Sequence, residues 1–161
     1  LTLAAPLPAG LTHPEQVLDF VDGYAHAIEI VQSHFPDWKA RLPDFCADNA
    51  CHARLVVGPV RPVETGARSA LLEALAACRV RLCRNGRTML EGCGANALGH
   101  PLLALAHLAD VVTAQSGMPL VAGELISTGT LTDALPVAAG EVWSTRFSGL
   151  DVQDLEVAFV E

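Results

Sequence analysis

The chain has 161 residues, a formal net charge of −8 and 51% apolar residues, enough length and apolar content for one domain with a real core. Lys39 is the sole lysine and the arginines are scattered, so no basic patch exists to neutralise phosphates, and nucleic acid is excluded as a partner. No apolar run reaches the roughly 18–20 residues that cross a bilayer, and five cysteines without a C-x-x-C pair cannot close a complete disulfide set, so a protein of the reducing cytoplasm, with no membrane partner, is expected.

In chain order, Leu1–Pro8 reads as the tail of a strand entering a loop. Thr12-His13-Pro14-Glu15 places a capping residue, a proline and an acid where a helix begins, and Val17, Leu18, Val21 and Tyr24 continue at helical spacing to about His26. Residues 27–33 switch to β-branched residues around Glu29 and predict a strand; Asp44–Ala50 predicts a helical turn and Arg54–Gly58 a second strand. Cys78–Arg84 and Arg87–Cys93 alternate about Asn85-Gly86, a dipeptide that accepts the positive φ of a two-residue turn, so a β-hairpin spans about 78–93. Pro101 opens a helix of about 100–115, apolar on nearly every face and expected to be buried, with His107 inside it as a core histidine and Gly117 as its stop. Short strands follow at 124–128, 141–147 and 155–160. Without regular βαβ alternation, the sum is an α+β fold forming a single domain over 1–161.

Few residues carry chemistry. Glu29 sits in Ala27-Ile-Glu-Ile-Val31; it reads first as a glutamate on the solvent face of an edge strand, and otherwise as a carboxylate whose burial a hard divalent cation would offset. Thr128-Gly129-Thr130 reads as an ordinary turn, and Asp48 and Asn49 as side chains capping one. His100, before Pro101, reads as a helix cap or a packing residue. His26, His34 and His52 lack zinc-ligand spacing, and Gly92-Cys-Gly-Ala-Asn-Ala97 lacks the pattern of a phosphate loop.

Several runs taken together are more specific: Ala27-Ile-Glu-Ile-Val-Gln-Ser33, Ala47-Asp-Asn-Ala50, Gly94–Pro101, Gly123–Val137 and Gly140–Phe147. They resemble the 2-oxopent-4-enoate hydratase and 4-oxalocrotonate decarboxylase family of the fumarylacetoacetase superfamily. The resemblance implies a mixed β-sandwich roll, and a Mg²⁺ or Mn²⁺ site in which Glu29 is the isolated third glutamate. The family's Glu-x-Glu pair and its proton-handling lysine and acid would fall ahead of Leu1, so the catalytic residues stay unassigned and the chain corresponds to the later part of the family's length. Asn49, Cys51, Thr128, Gly129 and Thr130 match substrate-contacting positions. Two departures stand out: Gln32-Ser33-His34 replaces Asp-Ser-Arg, and Cys51-His52 replaces small hydroxyl residues. The implied activity is metal-dependent hydration of 2-hydroxypenta-2,4-dienoate to 4-hydroxy-2-oxopentanoate. Decarboxylation of 2-oxo-3-hexenedioate is the alternative, and a non-catalytic truncated homologue or partner subunit a third. The implied partners are a small unsaturated 2-oxo or 2-hydroxy carboxylate and either further copies of the chain or a decarboxylase–hydratase complex.

Overall fold

The computed structural model describes residues 1–160. Its elements run β1 (Thr2–Leu3), α1 (Pro14–Leu18), β2 (Val21–Tyr24), β3 (Ala27–Val31), α2 (Leu42–Ala47), β4 (His52–Val57), β5 (Arg61–Pro62), α3 (Arg68–Ala77), β6 (Arg79–Arg84), β7 (Arg87–Cys93), α4 (Pro101–Ser116), β8 (Val142–Ser148) and β9 (Glu156–Ala158). The strands form three antiparallel groups: β1-β2-β5, the ribbon β3-β4, and the sheet β7-β6-β8-β9. In that sheet Leu82 faces Thr145 and Trp143 faces Val157, so these four side chains share one face. Asn85 and Gly86 take φ of 49° and 79° between the paired strands β6 and β7, the left-handed values a tight hairpin turn needs.

The core gathers around α4. His100 starts this helix through both ring nitrogens: Nδ1 accepts from the Leu102 N–H at 3.1 Å, and Nε2 lies 3.0 Å from the Leu72 carbonyl. The first bond makes Nδ1 the acceptor, so Nε2 carries the proton and donates. Gly117, at φ 71°, ends the helix. Leu102, Leu105, Ala106 and Ala109 pack with Val17 and Leu18 of α1, Leu71 and Leu75 of α3, and Leu3 and Leu7. Each such leucine contributes roughly 1.5–3 kcal/mol on burial.

Several expectations are corrected. The first helix stops at Leu18, because residues 21–24 pair instead with β1 and β5. α3 falls outside the expected elements, although Leu71 and Leu75 recur at helical spacing and are both buried. Residues 124–128 make only the isolated bridge of Leu125 to Thr2. His107 is exposed, since α4 buries only one stripe. By composition and length Gly94–Ser116 qualifies as a membrane-span candidate. Only 16 of its residues are α-helix, however, and that helix supplies the core.

Candidate active site

The ribbon β3-β4, the 127–135 segment and the inner face of the four-stranded sheet border two adjoining cavities, a larger and a smaller lobe. The larger lobe has a volume of about 420 Å³ and is bordered by Glu29, Thr130, Asp133, Leu82, Trp143 and Val157 among others. The smaller, about 120 Å³, is walled mainly by apolar groups such as Leu75, Ile126, Phe147, Leu150 and Val152. His26, Ala27, Leu55, Ser127, Gly129 and Leu131 border both lobes.

Glu29 reaches the larger lobe because β3 pairs it with Leu55 on β4. Its side chain is 45% exposed, and its Oε1 lies 2.8 Å from Nδ1 of His52, the residue opposite Val31. The carboxylate is thus solvated and engaged with His52, on a strand that borders the larger lobe. Thr128, Gly129 and Thr130 form one continuous turn, with Thr128 on the smaller lobe, Thr130 on the larger and Gly129 on both. The φ of 123° at Gly129 explains the glycine there. The Thr130 hydroxyl donates to the Thr132 carbonyl. The structure therefore places Glu29 on the same cavity as Gly129 and Thr130, with Thr128 on the adjoining one.

Asn49 and Cys51 are not brought into it and border neither lobe. They lie on the turn before β4, where Asn49, Ala50 and Cys51 take positive φ of 52°, 52° and 63°. Asp48 stitches this turn to the preceding loop by accepting from the His34 N–H at 3.0 Å and from the His34 ring. These contacts to His34 pull the Asp48 carboxyl below its usual range, the backbone N–H foremost. Cys51 is buried, with Sγ 4.0 Å from Asp48. The fixed turn accounts for the discrepancy with the expected substrate contacts.

Two residues at the cleft carry no sequence signal of their role. His26 has Nε2 2.9 Å from Thr145 Oγ1, and its ring centroid is 4.4 Å from that of Phe147. Burial lowers its pKa to about 4, against the opposing attraction of Asp154, so the ring is neutral at pH 7. Asn96 donates from Nδ2 to the Leu131 carbonyl at 2.8 Å. That carbonyl comes so close to Gly92 that a Cβ there would lie 1.8 Å from it. Gly92 and Asn96 together seat the 129–132 segment against the hairpin, which turns the apparent glycine-rich loop into a clamp. The only local hint was an amide side chain beside glycines.

No group of three or more His, Cys, Asp or Glu is placed to hold a metal among the described residues. Magnesium does not demand one: it commonly takes one or two carboxylates and fills its shell with water and substrate oxygens. A solvated carboxylate at Glu29, on a lobe that Asp133 and Thr130 also border, fits that pattern.

Residues 3–157 match the family described as fumarylacetoacetate (FAA) hydrolase C-terminal. The chain belongs to this family. Its curated relatives include a 2-hydroxyhexa-2,4-dienoate hydratase of Comamonas testosteroni, 35% identical over 84% of this chain and 49% of the relative. A 2-keto-4-pentenoate hydratase of Burkholderia vietnamiensis is 40% identical over 77% and 45%, and a 4-oxalocrotonate decarboxylase of Pseudomonas putida is 35% identical over 91% and 53%. Among solved structures, 4-oxalocrotonate decarboxylase from Pseudomonas putida G7, complexed with magnesium and adipate, superposes with a TM-score of 0.85 at 30% identity, covering 99% of this chain and 57% of that one. The same enzyme complexed with calcium and acetate gives a TM-score of 0.81. The chain spans about half the length of the curated relatives it matches. The fold is thus α+β and fumarylacetoacetase-like.

Proposed function

We propose that the protein of which this chain forms part is a lyase that adds water to 2-hydroxypenta-2,4-dienoate, giving 4-hydroxy-2-oxopentanoate in the breakdown of aromatic compounds. The observation that supports this reading is that Glu29 borders the same cavity as Gly129 and Thr130, in a chain akin to hydratases of such acids. Glu29 would hold a Mg²⁺ or Mn²⁺ ion, which would supply Lewis-acid stabilisation of negative charge on the substrate. Thr128 and Thr130 hydroxyls and the Gly129 N–H bind the substrate carboxylate, Thr130 exchanging its bond to the Thr132 carbonyl for one to the ligand. The enol proton leaves O2 and a proton arrives at C5; the resulting conjugated ketone then takes hydroxide at C4 and a proton at C3.

The test is loss of dienoate absorbance on adding protein and Mg²⁺. Turnover should vanish with EDTA and in Glu29→Gln, and undiminished turnover in that variant rejects Glu29 as a ligand. The superposition on a 4-oxalocrotonate decarboxylase supports a second reading, in which 2-oxo-3-hexenedioate loses CO₂ at the same site. Release of CO₂ from that diacid, without hydration of the dienoate, selects it. In either reading the protein works in the cytoplasm as a homo-oligomer or in a hydratase–decarboxylase complex, a state that light scattering after gel filtration measures directly.

A further inference from the structure

The turn before α4 is built onto the core. Gly94 donates its N–H to the Cys78 carbonyl at 3.0 Å and lies so close to α3 that a Cβ there would sit 1.8 Å from the Leu75 carbonyl oxygen. Ala97 is 3% exposed, and its N–H returns to the Gly94 carbonyl at 3.1 Å. Asn96 thus projects from a turn fixed on both sides, and the 129–132 segment lies against it. A Cβ on Gly129 would be 3.6 Å from the Ala97 Cβ, an ordinary contact, and the Leu131 carbonyl accepts from Asn96 Nδ2 at 2.8 Å. A carbonyl only accepts, so the amide presents its nitrogen to Leu131 and its oxygen to Cys93, whose thiol donates to Oδ1 at 3.3 Å. Cys93 is held in turn at the end of β7 by the register that sets it opposite Arg79. Thiol, amide and carbonyl form one chain from the hairpin to the residue after Thr130, and that chain admits a single orientation of the amide.

We infer that Asn96 is a positioning residue for the substrate: oriented by Cys93, it acts through Leu131 to fix where the Gly129 N–H and the Thr130 hydroxyl stand. This rests on the reading above in which that turn binds the substrate carboxylate. The physical ground is preorganisation, since a turn held in its binding conformation beforehand loses less freedom when the ligand arrives than one the ligand must order. Replacing Asn96 by Asp keeps the shape of the side chain and the acceptor facing Cys93, but turns an oxygen toward the Leu131 carbonyl. Two acceptors then repel, and the segment loses its tether. The carboxylate is bound alike in the ground state and the transition state, so the loss falls on KM rather than on kcat.

The experiment uses the whole protein of which this chain forms part, loaded with Mg²⁺. Asn96→Asp should raise KM for the dienoate at least about fivefold while kcat stays within about twofold, and Cys93→Ser, which keeps a donor to Oδ1, should leave both within about twofold. Pentanoate, which carries the carboxylate without the reacting enol, should bind Asn96→Asp at least about fivefold more weakly in calorimetric titrations. Backbone amide hydrogens of residues 129–132 should exchange at least about fivefold faster in that variant. Wild-type KM and pentanoate affinity in folded Asn96→Asp overturn the inference, as does wild-type exchange at 129–132. Should Asn96→Asp not fold, Cys93→Ala serves instead: with Oδ1 left without its donor, pentanoate should bind at least about twofold more weakly, and unchanged affinity overturns the inference. Weaker pentanoate binding in Asn96→Asp of a protein that does not hydrate the dienoate refutes the hydratase reading alone. Hydration with an unaltered KM in Asn96→Asp refutes the role of Asn96 alone.

Discussion

Acidification should expose the cost of keeping the His26 imidazole out of water. Burial holds its folded pKa at about 4, against 6.5 for an exposed ring. Between those values the unfolded chain binds a proton that the native state refuses, so stability is complete above the unfolded pKa and falls as pH drops through the window. Linkage gives a loss from this one ring of about 2 kcal/mol by pH 5 and about 3 kcal/mol by pH 4. Carboxylates titrate in the same range, so the reading must be differential. Urea unfolding of wild type and of His26→Gln, which preserves a donor toward Thr145, should give curves of stability against pH that converge from neutrality towards pH 4, with wild type losing about 3 kcal/mol more. The ring's own NMR titration should show a midpoint near 4. Parallel stability curves, or a midpoint above 6, would refute the argument from burial.

Three further outcomes follow from the packing. Leu105, with none of its surface exposed, sits at the centre of the helical core, and Leu105→Ala should cost about 2–5 kcal/mol in urea unfolding with an unchanged m-value. Gly92→Ala should cost about 1–3 kcal/mol and slow dienoate turnover, because the Leu131 carbonyl must retreat from the new Cβ, while Gly66→Ala, with nothing within 4 Å, should be within about 0.5 kcal/mol of wild type. Trp143 Nε1 donates to Glu141 Oε2 at 2.9 Å and is the foremost reason that this carboxyl lies below its usual range, ahead of the Ala138 N–H and Arg84. Trp143→Phe should raise the Glu141 titration midpoint in carboxyl NMR. The stability this group contributes, present above the ordinary carboxylate pKa and lost as pH falls through the folded one, should then shrink; an unmoved midpoint would contradict the assignment.

Which parts of this molecule the sequence disclosed follows from the range of the forces involved. The strands β6 and β7, the helix α4 and its ends at His100 and Gly117 are set by neighbours a few residues away, and alternation, a left-handed turn and a cap are visible there. The failure at residues 19–26 is long-range in origin. Val17, Leu18, Val21 and Tyr24 satisfy a helical period, but Gly23 lies so close to Thr2 Oγ1 and Val60 Cγ1 that a Cβ would sit 2.6 Å from each. That glycine marks strands closing together, a contact made by residues far apart in the chain. α3 escaped notice for the opposite reason: its alanines and leucines favour helix without marking which face is buried.

The site divides along the same line. Glu29 and the Thr128–Thr130 turn were singled out by resemblance, because short runs around them carry it. Their convergence was not, since it depends on the 127–135 segment crossing to the ribbon and being seated by Asn96 and Gly92. His52 illustrates the limit most sharply. In sequence it is a departure next to Cys51 with no assigned role; in space, the register that sets Val31 opposite His52 delivers its Nδ1 to the Glu29 carboxylate. A substitution that looks like a lost hydroxyl thus supplies a new partner for the one acid on which the metal reading depends. For that reason Glu29 and His52 are best altered together in a double-mutant cycle of Mg²⁺ affinity. If the imidazole competes for the carboxylate, His52→Ala should tighten Mg²⁺ binding, and the gain should disappear when Glu29 is already Gln. Equal effects in both backgrounds would separate His52 from the site.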